Sequence, residues 1–314
     1  MITYLLRRLI FAALTMFLSA ALVFSALLII PGDPAEIILG LGASPQALAA
    51  LRTQLGLEQP PLTRFGWWLA GMVRGDFGQS LNYHRPVGEL ILARLGVSLP
   101  LALAGMLLAC LIALPIGIMA ARRHGTWVDP AIIALAQLGA AIPSFWLALL
   151  LILLFSVTLG WLPAGGFVPW ERSPLGYLHS LALPVLALAL GQVALLTRMT
   201  RAALLEVLAQ DYIRTARAKG LPGRQVVSKH ALRNAMITII TSLGLSLGQV
   251  LVGAIVIEQV FSLPGLGRLA LIAIGTRDFP LLQGLVLVYA GTIVLINFLV
   301  DASYSLLDPR IRYA

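Results

Sequence analysis

The sequence predicts an all-α integral membrane protein of six transmembrane helices, with both termini cytoplasmic. Three observations carry this. Apolar residues occupy 59% of the 314 positions. Several apolar runs reach the roughly 20 residues that a helix needs to cross a hydrocarbon core. Basic residues gather on one set of connecting segments. A soluble domain averages about 45–50% apolar residues and could not bury all these runs in one core. The mean hydropathy of +0.93 says the same.

The spans fall at about 9–30, 97–121, 130–158, 181–199, 235–257 and 281–300. The run from Leu9 to Ile30 outlasts a secretory signal's apolar region, roughly 7–15 residues, and no small-x-small site follows it. It reads as an uncleaved first span with Arg7 and Arg8 held in the cytoplasm. Pro100, Pro115 and Pro184 are placed toward helix ends. The third span is long and carries Pro143 within AIPSFW. A kink or tilt is expected there, because proline removes a helical hydrogen bond and clashes with the preceding turn. In the fifth, GLSLG sets Gly244 and Gly248 four residues apart, a spacing that permits close helix packing.

An outer segment, 31–96, separates the first two spans. Its GWWLAGMVRGDFG places Trp67 and Trp68 beside a polar loop, as in an interfacial helix with an aromatic belt. No internal repeat or low-complexity linker divides the chain, so 1–314 reads as a single transmembrane domain.

Charge sets the orientation. The N-terminus, the 122–129 turn, 198–234 and the C-terminal tail hold 14 Lys or Arg against five Asp or Glu, and the remaining segments hold eight of each. The difference, 14 − 5 = +9, is the whole net charge. By the positive-inside rule that side is cytoplasmic. The pI near 10.4 therefore reports topology and not nucleic-acid binding, which needs a basic folded face.

Several function classes are excluded. The single cysteine, Cys110, lies in an apolar run and rules out an internal disulfide framework. No G-x-x-x-x-G-K-[ST] loop is present, and the only lysines are Lys219 and Lys229. His84, His124, His179 and His230 are scattered without metal-ligand spacing. No catalytic residue or metal site is assigned, and no cofactor is expected in this chain.

The stretch DYIRTARAKGLPGRQVVSKHALRNA, 211–235, carries seven charged residues, six of them basic. It belongs to the cytoplasmic loop 200–234. Helix-forming composition extends from about Arg201 to Lys219 and stops at Gly220-Leu221-Pro222-Gly223. A second short helix is expected from Arg224 into the fifth span. The face with Thr215, Ala216 and Ala218 is small, so another protein could approach it closely. Two readings fit: a basic loop that only obeys topology and touches anionic headgroups, or an ordered docking helix.

Polar residues within spans point to a translocation path. Gln137, Gln192, Ser246, Gln249 and Asn297 qualify, with Glu258 and Asp301 at span ends. Gln192, Gln249 and Asn297 lie in the three spans flanking the loop and the tail and form the pathway set. Each can equally well hydrogen-bond a neighbouring helix. No carboxylate is placed securely inside a span, which argues against an ion-coupled secondary transporter.

The 211–235 stretch resembles the EAA loop of binding-protein-dependent ABC importer permeases, and most closely that of the dipeptide/oligopeptide/nickel permeases. Here Arg214-Thr215-Ala216 stand before Gly220, without the glutamate of the general pattern. LLRRL, IIPGDP, LGLEQP (55–60), GDFGQS (75–80), EQVFSLPGLGR (258–268), RDFP (277–280) and NFLVDASYSLLDPRIR follow in that family's order.

The resemblance implies an ABC importer permease fold in a bacterial inner membrane. The partners it implies are a second homologous permease, two cytoplasmic ATPase subunits that bind ATP and Mg, a periplasmic or lipid-anchored solute-binding protein, and membrane lipid. It implies ATPase coupling through Asp211, Arg214, Ala216, Ala218, Lys219 and Gly220. Di- and oligopeptides are the expected cargo, with nickel or nickel-chelate, glutathione and opine uptake as alternatives. A solute-binding protein would meet the outer segment and 258–280.

Overall fold

The computed structural model describes residues 2–29, 34–40, 42–54 and 56–307, with backbone only for 2–6, 34, 37, 38, 54 and 301–307. Residues 31–33 of the PGDP motif and the tail arginines Arg310 and Arg312 lie outside that range. In order the helices are α1 (Ile2–Ile29), α2 (Pro34–Leu39), α3 (Pro45–Gln54), α4 (Pro61–Val73), α5 (Val87–Arg122), α6 (Val128–Ala141) and α7 (Ser144–Leu151). A π-helical turn, Ile152–Thr158, continues α7. Then come α8 (Pro174–Leu208), α9 (Asp211–Ala218), α10 (Gly223–Gln225), a second π-helical turn (Val226–Ala231), α11 (Leu232–Val260), α12 (Leu266–Gly275) and α13 (Phe279–Leu307). Among the described residues there is no strand, only an isolated bridge between Gln79 and Pro86.

Five helices are long and apolar enough to cross a membrane, and counting α6 and α7 as one broken span makes up to six. This agrees with the predicted class. The third span is not a kinked helix, however. The chain breaks at Ile142–Pro143 and turns by 93°, with Pro143 extended at ψ 138°. Proline both withholds a donor and disfavours helix in the residue before it.

The proline placements also need correction. Pro100 and Pro115 lie inside α5, and Pro184 inside α8. These helices run 36 and 35 residues, or about 54 and 52 Å at 1.5 Å per residue. They outrun a hydrocarbon core of roughly 30 Å, so a proline near the edge of an apolar run can sit deep within its helix.

Packing divides the chain into two compact units, Met1–Val97 with Gly265–Leu295, and Ser98–Pro264 with Ile296–Ala314, the divisions falling within α5, between α11 and α12, and within α13. In the first unit, Val87, Leu90 and Ile91 of α5 pack with Leu266, Leu269 and Ala273 of α12 and Leu281 and Leu285 of α13. Phe65 and Trp68 of α4 meet Phe24 of α1 at ring-centroid distances of 5.3 and 5.8 Å. Trp68 therefore packs within the protein, whereas Trp67 is exposed.

In the second unit α8 is the central helix, with thirteen buried residues between Ser180 and Leu204. A Cβ added to Gly117 of α5 would lie 2.7 Å from Thr200 Cβ and 2.8 Å from the Thr197 carbonyl oxygen. The two backbones touch there because no side chain intervenes. Of the predicted glycine pair, Gly244 packs under Val300, while Gly248 faces open space.

Candidate functional site

The predicted docking helix is an independent element. α8 ends at Leu208, and Gln210, extended at ψ 149°, turns the chain. The helix expected over 201–219 is thus two helices broken at Ala209–Gln210. Asp211 then opens α9, where its charge complements the helix dipole, and Arg217 sits in the last turn. Gly220 closes it at φ +79°, a left-handed conformation with little cost only for glycine.

α9 has two unlike faces. Ile213, fully buried, and Ala216, 8% exposed, join Ala203 and Leu204 of α8, Ala121 of α5, Val226 and Ala231 of the π-helical turn, and Ala235 and Ile239 of α11. Asp211, Tyr212, Arg214, Thr215, Arg217, Ala218, Lys219 and Gly220 are exposed. Of the six predicted coupling residues, five face outward. Ala216 is the correction: it points into the chain's own core. Ile213 and Ala216, three residues apart on an otherwise polar helix, form the narrow apolar stripe of an amphipathic helix, and that pattern is the signal for the inward face.

Other bonds tie α9 down. Asn234 Nδ2 donates to Tyr212 Oη at 2.7 Å, joining α9 to the start of α11. Thr215 Oγ1 donates to the Asp211 carbonyl at 3.1 Å. The Arg214–Asp211 pair, 3.3 Å apart, is solvated on both sides and adds little. Residues 223–260 run on as one helix of 38 residues, which provides the helix expected from Arg224. α9 and the fifth span therefore share one core.

A second cluster, unread in the sequence, braces the base of α8. Arg201 grips Asp129 with both arms, Nε to Oδ1 at 2.5 Å and Nη2 to Oδ2 at 2.6 Å. His124 Nδ1 lies 2.8 Å from Asp129 Oδ2. The Asp129 side chain is only 5% exposed, and two parallel bonds to a planar guanidinium fix its geometry. Nothing in local spacing flags residues 72 positions apart.

The pathway set is not assembled by hydrogen bonds among the described residues. Gln192 of α8 has a buried side-chain oxygen with no hydrogen-bond partner, whereas Gln249 of α11 and Asn297 of α13 are exposed on this single chain. Gln137 is exposed and Ser246 buried. Glu258, read as a span-end residue, is fully buried in α11 and accepts a 2.5 Å bond from Ser98 Oγ. The expectation that no carboxylate lies within a span helix is therefore revised. Asp301 lies where only backbone is described.

Two family descriptions match this chain: the binding-protein-dependent transport system inner membrane component over residues 113–313, and its N-terminal counterpart over residues 1–102. A peptide transport system permease protein of Brucella abortus is 45% identical over 313 residues, covering 100% of both chains. A glutathione transport system permease protein of Salmonella typhimurium is 42% identical over 313 residues, again covering 100% of both. An inward-facing MetNI methionine ABC transporter structure superposes with a TM-score of 0.59 at 20% sequence identity, covering 70% of this chain and 96% of that one. That last likeness is one of fold. The chain is a multi-pass membrane protein and belongs to the family of binding-protein-dependent transport system inner membrane components.

Proposed function

We propose that this chain is one of two permease subunits of an ATP-driven importer in a bacterial inner membrane, carrying di- and oligopeptides delivered by a periplasmic or lipid-anchored solute-binding protein. The observation that carries this is α9, whose inward face is locked to α5, α8 and α11 while its outward face presents Asp211, Arg214, Ala218 and Lys219. A helix fixed on one side and open on the other can transmit a push from a soluble partner to the spans behind it. ATP and Mg bind in two partner ATPase subunits, and closure of that pair drives α9 and the attached α11 as one body. A transport role of this kind requires no catalysis by the chain itself.

The relatives named for peptide and glutathione transport support a small-peptide cargo. Gln192, Gln249 and Asn297 are uncharged polar groups suited to a path that passes a peptide without holding it. Nickel, nickel-chelate or opine uptake would use the same architecture.

The test is reconstitution of the chain with its second permease, ATPase subunits and solute-binding protein in proteoliposomes. Uptake of labelled dipeptide that requires internal ATP and is lost in Arg214→Glu/Ala218→Arg supports the proposal. Uptake that follows an ion gradient without the ATPase subunits overturns it.

A further inference from the structure

The end of α5 around Arg122 carries a groove that lies outside the coupling and pathway residues named above. A groove of about 490 Å³ is lined by Pro115, Ile118, Met119, Arg122 and Arg123. Along the same helix Leu103, Leu107, Leu111 and Met119 are 51%, 62%, 65% and 43% exposed. Pro115 falls in the same four-residue series, so these residues form one continuous ridge of the helix surface running down to the two arginines. Pro115 cannot donate to the Leu111 carbonyl, which loosens the helix at the head of the groove.

The other end is cationic and marked for depth. Arg122 and Arg123 are both exposed, and neither has a carboxylate partner among the described residues, unlike Arg201 with Asp129. Trp127, four residues on, is 79% exposed. An exposed tryptophan at a span end marks the headgroup level. Two guanidiniums at that level, continuous with a bare apolar ridge, are complementary to a molecule that is anionic at one end and hydrocarbon at the other.

We propose that this groove binds one anionic phospholipid of the inner leaflet, its phosphate between Arg122 and Arg123 and an acyl chain along Leu111, Leu107 and Leu103. Bidentate guanidinium geometry suits phosphate oxygens. A protein segment filling the same groove would have to bring carboxylates to membrane depth, whereas the leaflet provides phosphate there. The site requires only that the chain sits in a membrane, and it goes beyond the import reading.

The experiment is native mass spectrometry of the complex, purified with its partner subunits and exchanged into equimolar phosphatidylglycerol and phosphatidylcholine. Phosphatidylglycerol should be retained preferentially. The preference should fall roughly 30-fold in Arg122→Gln/Arg123→Gln, as two arginines at a membrane surface predict. It should persist in Arg224→Gln/Lys229→Gln, which removes equal charge from the same side. A photoreactive group at position 119 should label lipid. Equal loss in both double variants would reduce the effect to bulk charge. Displacement by inorganic phosphate would make it a soluble-anion site, and labelling of the second permease would make the ridge a protein interface. Any of these three overturns the proposal. Retention is read without ATP or peptide, so a negative result leaves the import reading standing.

Discussion

Ser80 Oγ donates to Asp278 Oδ2 at 2.5 Å across 198 residues of sequence. Asp278 is fully buried and also accepts from the Asn82 and Leu281 backbone N–H groups at 3.1 and 3.2 Å. One carboxylate thus caps the start of α13 and pins the turn that feeds α5. The GDFGQS and RDFP motifs, far apart in sequence, are the two halves of a single clasp.

Removing the acceptor leaves three donors unpaired, of which those of Ser80 and Leu281 are buried. Asp278→Ala is expected to destabilise the chain by about 3 kcal/mol, and Ser80→Ala by about 1 kcal/mol. Thermal unfolding in detergent measures both. Equal effects from the two substitutions would show that the backbone caps contribute nothing.

The Arg201–Asp129 grip makes a second prediction. Removing one partner of a largely buried pair costs about 3 kcal/mol, because the other charge is left uncompensated. Asp129→Asn and Arg201→Gln should each lower the folded yield, and the double variant should do less harm than their sum. Strict additivity in a double-mutant cycle would mean that the two side chains are not coupled.

The coupling role proposed for α9 can be tested apart from its packing, because one face is buried and the other exposed. Ile213→Ala should cost about 3 kcal/mol in stability, since it empties a fully buried site. Arg214→Ala should leave the melting temperature within a degree or so while lowering peptide-stimulated ATP hydrolysis by the complex. Loss of stability in Arg214→Ala would place that side chain in the core instead.

Glycine contacts give a graded series. Gly117→Ala and Gly244→Ala must displace Thr200 and Val300 respectively, and overpacking of this kind costs about 1–3 kcal/mol. Gly248→Ala meets nothing within 4 Å and should be neutral in the isolated chain. Melting temperatures of the three variants check the order.

Gln192 offers a test of the pathway. Its buried oxygen has no partner, so Gln192→Met removes an unmatched acceptor at no structural loss, and stability should hold or rise. A fall in the peptide transport rate alongside unchanged stability would mark the side chain as part of the path. An unchanged rate would make it packing alone.

Much of the fold was legible because its rules are local. A helix must satisfy its own backbone in lipid, so apolar run length alone locates the long helices through Leu9–Ile29 and 281–300. The Gly220-Leu221-Pro222-Gly223 stop is likewise a property of those residues. The 93° turn at Pro143 was announced by proline, but its size was not, because proline specifies a missing bond and not a direction. The contact of Trp68 with Phe24 was not legible, because a tryptophan beside a polar loop looks the same in sequence whether or not another ring packs on it.

The sequence by itself determined the all-α membrane class, the apolar runs that become the long helices, and the helix stop at Gly220. These follow from transfer free energies and propensities that act residue by residue. Only the tertiary structure decided that Ala216 turns inward beside Ile213, that Glu258 is buried against Ser98, and that Ser80 and Arg201 reach Asp278 and Asp129. Each depends on which distant surface arrives opposite a side chain, and burial or pairing has no meaning until that surface is in place.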